Sequence, residues 1–236
     1  MRCLRVFNVF FIYLILGFMA HTVTAQGRVW VAEINGAIGP VSADYILRGL
    51  EDAAEDKAQL FVIKMDTPGG LDKSMRQMIQ GILQSPVPVV TYVHPEGARA
   101  ASAGTYILYA SHIAAMSPAT TLGAATPVQI GAPSFPSTPQ QPERPQEPSP
   151  AGEGATKENG NNSSRQPSSA MERKILNDAI AYIQGLADLR GRNKAWAVLA
   201  VRDAASLSAD EALKKNVVDL VASNIDDLFD QLHQKE

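Results

Sequence analysis

Two short and almost uninterrupted apolar runs constrain what this chain can fold into. Leu60–Met65 and Val87–Val93 each have the length of a strand, and only Lys64 interrupts the first of them. A strand that is apolar on both faces must be covered on both faces, which is typical of parallel sheets. Between the two runs, Leu71–Leu83 carries apolar residues at helical spacing, namely Met75, Met78, Ile79 and Ile82. The order strand, helix, strand predicts an α/β fold with a mostly parallel sheet and covering helices.

The same alternation continues along the rest of the chain. The predicted strands are Arg28–Ile34, Ile113–Met116 and Val217–Val221, and the predicted helices are Ala43–Lys57 with Ser42 as its N-cap, a helix from Ser102 to about Ala110, Met171–Leu189, Ala195–Val201 and Ile225–Leu232. Ligand sites in such sheets lie beyond the carboxyl ends of the strands. The turn Asp66–Gly70 and the segment around Ser102 both follow predicted strands, so we expect both at that edge.

The first 25 residues have the pattern of a secretory signal peptide. Arg2 and Arg5 precede the apolar run Val6–Ala20, and Val23-Thr24-Ala25 has the small residues of a cleavage site. Its removal would also remove Cys3, so that residues 26–236 would have neither a disulfide nor a thiol nucleophile. The alternative is an uncleaved anchor, although the run is shorter than the roughly 20 apolar residues of a membrane span. We expect an exported domain, periplasmic or extracytoplasmic, with membrane association left open.

Residues 131–169 differ in composition from the rest of the chain. Pro, Gln, Ser, Gly, Asn and Glu dominate there, with almost no apolar side chain after Phe135. Such a segment cannot bury enough apolar surface to offset its ordering entropy, so we predict a disordered insertion within the domain. The net charge of −3 gives no basic footprint for nucleic acid. We expect no nucleic-acid partner, no metal and no cofactor.

The segment Gly97–Ile107 places one hydroxyl, that of Ser102, among alanines and glycines. One interpretation is a tight helix contact in which Ala100 and Gly104 are the packing pair. The other is a nucleophile, because small neighbours let a substrate approach the hydroxyl closely. A serine hydroxyl is a poor nucleophile until a base accepts its proton.

Three residues are candidates for that base. His94 and His112 flank the Ser102 helix, and Lys174 lies at the start of an apolar helical stripe. A lysine can act as a base where burial favours its neutral form. Residue types and spacing alone leave the choice among the three open.

Two backbone N–H groups are candidate donors to an oxyanion. Gly70 ends the turn Pro68-Gly69-Gly70, where glycine can turn its N–H outward without steric penalty. Ala103 follows Ser102 at a predicted helix start, where the helix dipole favours negative charge. The alternative for the glycine turn is a plain strand-to-helix connection.

Three segments resemble the NfeD family of membrane-associated serine proteases, which are ClpP-like enzymes with a crotonase-type fold. They are Asp66–Gly70, Gly97–Ile107 and Lys174–Asn177, the last of them just before Ala181-Tyr182-Ile183. Leu207–Leu213, continuing through Val217-Val218-Asp219, resembles the closing helix–strand unit of that superfamily. The resemblance implies a ClpP/crotonase-like fold of repeated ββα units, with residues 26–236 as a protease domain.

The resemblance also assigns roles to the candidate residues. It implies a catalytic dyad in which Ser102 is the nucleophile and Lys174 is the base. The oxyanion hole and its supporting turn would be formed by Gly70, Ala103, Pro68 and Gly69.

The function implied by the resemblance is that of an exported serine endopeptidase that cleaves apolar peptide segments. Stomatin-like membrane proteins are the substrate or partner class that it suggests, and we expect a homodimer or larger homo-oligomer. One alternative is a catalytically silent ClpP-like binding or scaffold domain. Another is a crotonase-type acyl-CoA enzyme, which export disfavours because acyl-CoA is an intracellular substrate.

Overall fold

The computed structural model describes residues 27–128 and 170–234. The predicted signal peptide and the insertion predicted at residues 131–169 lie outside the described residues. The strands are β1 (Val29–Asn35), β2 (Leu60–Asp66), β3 (Val89–Val93), β4 (Arg99–Ala101), β5 (Ile113–Met116), β6 (Thr121–Gly123), β7 (Ser206–Ser208) and β8 (Leu220–Val221). The helices are α1 (Pro40–Glu55), α2 (Asp72–Gln84), α3 (Ala103–Ala110), α4 (Ala170–Arg190), α5 (Lys194–Arg202), α6 (Ala209–Lys214) and α7 (Ile225–His233).

Within the described residues, five strands form one parallel sheet in the order β1-β2-β3-β5-β8. β1 pairs with β2 over seven residues, from Val29 opposite Leu60 to Asn35 opposite Asp66. All five carboxyl ends therefore lie at one edge of the sheet, and the intervening helices return the chain to the other edge. The predicted α/β fold with a mostly parallel sheet and covering helices is confirmed.

Helices cover this sheet on both faces. Phe61, Ile63 and Met65 of β2 point into the larger core, which they share with buried residues of α1, α2 and α3. Val62, between them, points into a smaller core that includes Leu228 of α7. Because both faces of β2 are buried, almost none of its residues is polar. Each fully buried apolar side chain contributes about 1.5–3 kcal/mol to the free energy of unfolding.

A second, smaller sheet lies beside the first and was not predicted. β4 pairs in parallel with β6, and β6 pairs antiparallel with β7. A bridge between Thr67 and Ala100 connects this sheet to the end of β2. Each of the three strands has only three residues, which is too short for a periodic pattern. β4 ends directly before Ser102, so this sheet positions the serine.

The start of α1 differs from the sequence prediction. The helix begins at Pro40, with Gly39 as its N-cap, so the assignment of Ser42 as N-cap was wrong. Proline suits the first helical position because the N–H that it lacks would have no helical partner there. Ser42 still serves the helix end, since its Oγ accepts a hydrogen bond of 2.9 Å from Gly39 N–H.

Candidate active site

Ser102 lies on a sharp turn between β4 and α3. Its backbone has φ 50° and ψ −115°, a conformation that non-glycine residues rarely adopt. Such strain costs about 1–3 kcal/mol and persists only where the surrounding structure holds it. A serine on a strained strand-to-helix turn is also the geometry that exposes the nucleophile in α/β-hydrolases. Here the Ser102 side chain is half-buried at the wall of a cavity.

Hydrogen bonds from two elements hold this turn in place. Ser102 N–H donates to the carbonyl of Gly123 at the end of β6, over 3.0 Å. The fully buried hydroxyl of Thr105 accepts from Gly123 N–H at 3.1 Å. The same hydroxyl lies within donating distance of the carbonyls of Ala100, at 2.8 Å, and of Gly123, at 3.0 Å. Thr105 therefore ties the strand before Ser102 to the strand beside it.

Small residues let three backbone segments meet at this point. A Cβ placed on Gly104 would lie 2.6 Å from Cγ2 of Thr67 and 3.4 Å from Cβ of Ala100. A Cβ on Gly69 would lie 2.6 Å from Cβ of Ser102. Ala100 and Gly104 do pack closely, but Ala100 belongs to β4, so the predicted tight contact joins a strand to α3 rather than lying within a helix. It is also compatible with a nucleophile, because the same packing brings the glycine turn against Ser102.

The N–H group of Gly70 points away from the neighbouring segment of the chain, which contains Ile38. Ile38 N–H donates to Gly69 O at 2.8 Å, and Leu71 N–H donates to Ile38 O at 2.9 Å. In this parallel bridge the residues on either side of Gly70 make the bonds to Ile38. The Thr67 hydroxyl braces the turn through 3.1 Å hydrogen bonds with the N–H and the carbonyl of Gly69.

The N–H groups of Gly70 and Ala103 are both available beside Ser102. All three residues line the same cavity. In the part of the chain that the structure describes, neither N–H has a hydrogen-bond acceptor. Ala103 is the first residue of α3, where N–H groups have no helical partner and the dipole favours an anion. The pair can therefore stabilise negative charge that develops on an oxygen near Ser102.

The cavity beside Ser102 has a volume of about 250 Å³ and a largely apolar wall. Its polar side chains are those of Ser102, Asp72 and Arg76. Apolar or aromatic side chains form much of the rest: Leu71, Met75, Tyr106, Pro127, Val128 and Ala179. The site is thus suited to a ligand that brings an apolar side chain close to Ser102.

Lys174 is not among the residues that line this cavity. It lies on α4 with its side chain exposed, five residues before Ala179, which does line the cavity. Five residues correspond to roughly 7.5 Å along a helix axis. Among the described residues, no hydrogen bond joins Lys174 to Ser102. The structure therefore brings together Ser102, Gly70 and Ala103, while the assignment of Lys174 as base stays a prediction.

Comparison with known sequences gives consistent matches over this domain. The family description "NfeD1b, N-terminal domain" matches residues 28–133. A membrane-bound protease of Pyrococcus horikoshii, PH1510, is 36% identical over 216 residues, which cover 92% of this chain and 42% of that protein. Membrane protein NfeD1b of Bacillus subtilis is 35% identical over 116 residues, which cover 49% of this chain and 26% of that protein. The chain thus spans less than half the length of these two relatives.

Solved structures match over most of the chain. A mutant of the 1510-N membrane-bound stomatin-specific protease has a TM-score of 0.69 and 35% identity, covering 88% of this chain and 85% of that chain. A second mutant, in complex with a substrate peptide, has the same TM-score and identity and covers 87% and 80% of the two chains. The first replaces a serine by alanine and the second a lysine by alanine. The chain belongs to the NfeD family.

Both NfeD relatives are named as membrane proteins. Within residues 27–128 and 170–234 of this NfeD chain, no helix combines the length and the apolar character that a membrane span requires. Membership of the family and the predicted fold are confirmed, because the matched structures cover the described domain at 35% identity.

The two histidines that were candidate bases in this NfeD domain have structural partners instead. His112 Nδ1 accepts from Val89 N–H at 3.2 Å, at the amino edge of the sheet and away from Ser102. Burial, and then Arg190 and Arg192, lower the pKa of His112. His94 lies at the carboxyl edge, but its Nδ1 is 2.9 Å from Ser117 Oγ and its ring stacks on Tyr92. Neither histidine lines the cavity.

Two residues of this NfeD site were missed by sequence analysis. Thr105 follows Ser102 by three residues, and nothing in the sequence distinguishes it from other threonines in helices. Its role depends on the hydrogen bond to Gly123 of β6, a strand that was not predicted. Arg76 is a single arginine on an otherwise well-predicted helix. Its one sequence signal is Asp72, four residues earlier, which is the spacing of a helical ion pair.

Proposed function

We propose that this NfeD-family chain is a serine endopeptidase in which Ser102 is the nucleophile and Lys174 is the base. One observation carries the proposal: Ser102 lies on a strained strand-to-helix turn with the two open N–H groups of Gly70 and Ala103 at the same cavity. Names of the relatives add support, since the matched structures are of a protease with serine and lysine mutants.

The proposed reaction begins when the neutral Nζ of Lys174 accepts the hydroxyl proton of Ser102. Ser102 Oγ then bonds to the carbonyl carbon of the scissile peptide, and the resulting oxyanion accepts hydrogen bonds from Gly70 and Ala103. When the intermediate collapses, the C–N bond breaks and Lys174 returns the proton to the departing amine. A water molecule, deprotonated by the same lysine, releases the acyl group and restores the Ser102 hydroxyl.

This mechanism requires Lys174 to approach Ser102 when substrate is present. Catalytic hydrogen bonds are often long or absent without substrate and tighten only in the productive complex. Ala179 on the same helix already lies at the cavity, so the approach would have to come from the turns of α4 that precede it.

The proposed substrate is a peptide segment with apolar side chains. Leu71, Met75 and Val128 supply an apolar wall that would accept such a side chain beside Ser102. Stomatin-like membrane proteins are the proposed natural substrates, because the matched structures are named as stomatin-specific. We further propose export with cleavage of residues 1–25, a site of action at the extracytoplasmic side of the membrane, and a homo-oligomeric assembly.

The second candidate is a catalytically silent binding domain of the same family. The exposure of Lys174, which is not at the cavity, is the observation that favours it. A silent domain would still bind apolar peptide at the cavity, so binding alone does not separate the two functions.

Labelling with a fluorophosphonate, together with cleavage of a quenched apolar peptide, tests the proposal. The parent chain should label and cleave, and Ser102→Ala should do neither while its circular dichroism stays unchanged. Lys174→Ala and Lys174→Arg should both abolish cleavage, because a guanidinium stays protonated. The double variant should be no worse than either single one, since the two residues act as a unit. A parent chain that neither labels nor cleaves would make the silent binding domain the better description, and cleavage by Ser102→Ala equal to that of the parent would exclude Ser102 as the nucleophile.

A further inference from the structure

Arg76 lies at the junction of the helices that surround the cavity. Its Nε is 2.9 Å from Asp72 Oδ2 on the same helix, α2, and its Nη2 is 2.7 Å from Asp178 Oδ2 on α4. Its Cζ lies 4.4 Å from the centre of the Tyr182 ring, also on α4. Burial opposes the charge of Arg76, but the carboxylates of Asp72 and Asp178 outweigh that effect and raise its pKa. One guanidinium therefore connects the wall of the Ser102 cavity to α4.

These contacts extend to the helix that follows the nucleophile. The rings of Tyr182 and Tyr106 stack with their centres 6.1 Å apart and their planes at 22°. Tyr106 is on α3, lines the cavity, and donates from its hydroxyl to Ala125 O at 3.2 Å. α2 begins two residues after Gly70, and α3 begins directly after Ser102. Arg76 therefore links the turn that ends at Gly70, and the helix that follows Ser102, to α4.

The bond to Asp178 lies one helical turn from Lys174. Residues four apart share a face of a helix, so Asp178 and Lys174 project from the same side of α4. Residues 170–174 of α4 are all exposed, and the first buried residue of the helix is Ala179. Arg76 thus contacts α4 at the boundary between its exposed first turns and its packed part.

Asp178 pairs with Arg76 in this structure. It also lies one turn from Lys174, at the spacing of a helical ion pair, so loss of the guanidinium would leave the lysine as the nearest partner on the same helix. Such a pair would favour the protonated lysine, which cannot accept a proton. Among the described residues, Asp72 on α2, Tyr106 on α3 and Tyr182 on α4 also interact with Arg76. Glu172 and Arg173 come directly before Lys174 on α4 and are exposed.

We propose that Arg76 is a positioning residue of the peptidase. Its guanidinium fixes the face of α4 that carries Lys174, and it prevents Asp178 from pairing with that lysine. The inference rests on the proposed roles of Ser102 and Lys174. Arg76 is not proposed as a receptor for substrate anions, because Asp72 and Asp178 already neutralise it.

Kinetics of Arg76→Gln give the first test. We expect kcat for a quenched apolar peptide to fall about 10- to 100-fold, as for a misplaced catalytic group, with little change in KM. Arg48→Gln is the matched control, because Arg48 forms a 2.6 Å pair with Asp44 at the same helical spacing on α1, and neither residue lines the cavity. The control should keep parent kinetics. A rise in KM at unchanged kcat would assign Arg76 to substrate binding and overturn the inference.

The pH dependence of kcat separates positioning from a general structural role. Because the proposed mechanism requires neutral Lys174, kcat of the parent should rise with pH. In Arg76→Gln the midpoint of this rise should move to higher pH, because the freed Asp178 would stabilise protonated Lys174. In the double variant Arg76→Gln/Asp178→Asn the midpoint should return towards the parent value, while kcat stays low. A midpoint that is the same in all three proteins would contradict the proposal.

Hydrogen exchange tests the same contact without relying on catalysis. In the Ser102→Ala background, Arg76→Gln should speed exchange in residues 170–178, whereas Arg48→Gln should not. If Ser102→Ala cleaves like the parent, the proposed function fails, and exchange still reports on the contact between Arg76 and α4. If the function stands and exchange in residues 170–178 is unchanged, the positioning role of Arg76 is wrong.

Discussion

Gly69 and Ser102 are in direct contact, although 32 residues that include β3 and β4 separate them in the chain. A Cβ on Gly69 would lie 2.6 Å from Ser102 Cβ, closer than real Cβ atoms approach, and 3.0 Å from Ser102 Oγ. Gly69 also has φ +115°, which side chains other than that of glycine rarely adopt. The serine hydroxyl is therefore free to face the cavity only while this position has no side chain.

Substitution of Gly69 by alanine should damage both stability and catalysis. The backbone conformation alone costs about 1–3 kcal/mol of the free energy of unfolding. Displacement of Ser102 should lower kcat by about 100-fold in addition. Gly36→Ala is the matched control, because Gly36 has φ +116° and nothing within 4 Å of an added Cβ. Urea unfolding should show a loss of stability in both variants, and a larger one in Gly69→Ala, where the clash with Ser102 adds to the cost of the backbone conformation. Peptide cleavage should show a loss of kcat in Gly69→Ala alone.

Thr105→Val should weaken the turn that carries Ser102. Valine has nearly the shape of threonine, but it leaves Gly123 N–H and the carbonyl of Ala100 without their buried partner. The free energy of unfolding should fall by about 1–3 kcal/mol, and kcat should fall as well. Thr91→Val removes a hydroxyl that is equally buried but bonds to Ser111 instead. If both variants lose stability and kcat alike, Thr105 has no special role at Ser102.

Arg192→Met should be the most destabilising of these substitutions. The side chain is 1% exposed and donates to the carbonyls of Tyr109, at 3.0 Å, and Ser111, at 2.9 Å, at the end of α3. It also pairs with the carboxylate of Asp219. Removing one partner of a buried ion pair costs about 3–5 kcal/mol. Urea unfolding should show this loss, whereas Arg202→Met, which breaks an exposed pair, should change stability by less than about 1 kcal/mol.

Stability should fall as the pH decreases below about 6.5, the usual pKa of histidine. Burial is the main reason that the pKa of His112 is lowered in the folded state, so the unfolded chain takes up this proton at higher pH. Proton uptake by the unfolded chain favours unfolding. The stability that neutral His112 contributes is therefore complete only above about pH 6.5, the usual pKa of histidine, and is lost as the pH falls below it. His112→Asn should reduce the difference in urea midpoint between pH 7.5 and pH 5.5. A difference that is the same in the parent and in His112→Asn would contradict this assignment.

Much of the fold could be predicted from sequence because its signals are local. The stripe in α2, with Met78, Ile79 and Ile82, repeats within a few turns, and each member is fully buried. The apolar run of β2 likewise predicts a strand covered on both sides, and the structure has helices on both faces of it. A periodic pattern involves only residues that are close in sequence. These elements can therefore be predicted without knowing where they lie in the fold.

Ser102 could be singled out because its neighbours are small, but its conformation could not be predicted. The φ of 50° depends on Gly123 and Thr105, and Gly123 is supplied by β6 after the chain has passed through α3 and β5. β4, β6 and β7 have three residues each, so their pairing rather than their sequence makes them strands.

Local sequence patterns predict the helices, the five strands of the larger sheet, and the cover on both of its faces. They also single out the glycine turn and Ser102. Packing of whole elements brings Gly70 and Ala103, whose N–H groups have no acceptor among the described residues, to one cavity. It also brings Arg76 to Asp178, 102 residues away. The same packing leaves Lys174 exposed and outside the set of residues that line the cavity. Spacing along the chain sets which face of an element a residue takes, whereas a contact between distant residues depends on how the elements pack together.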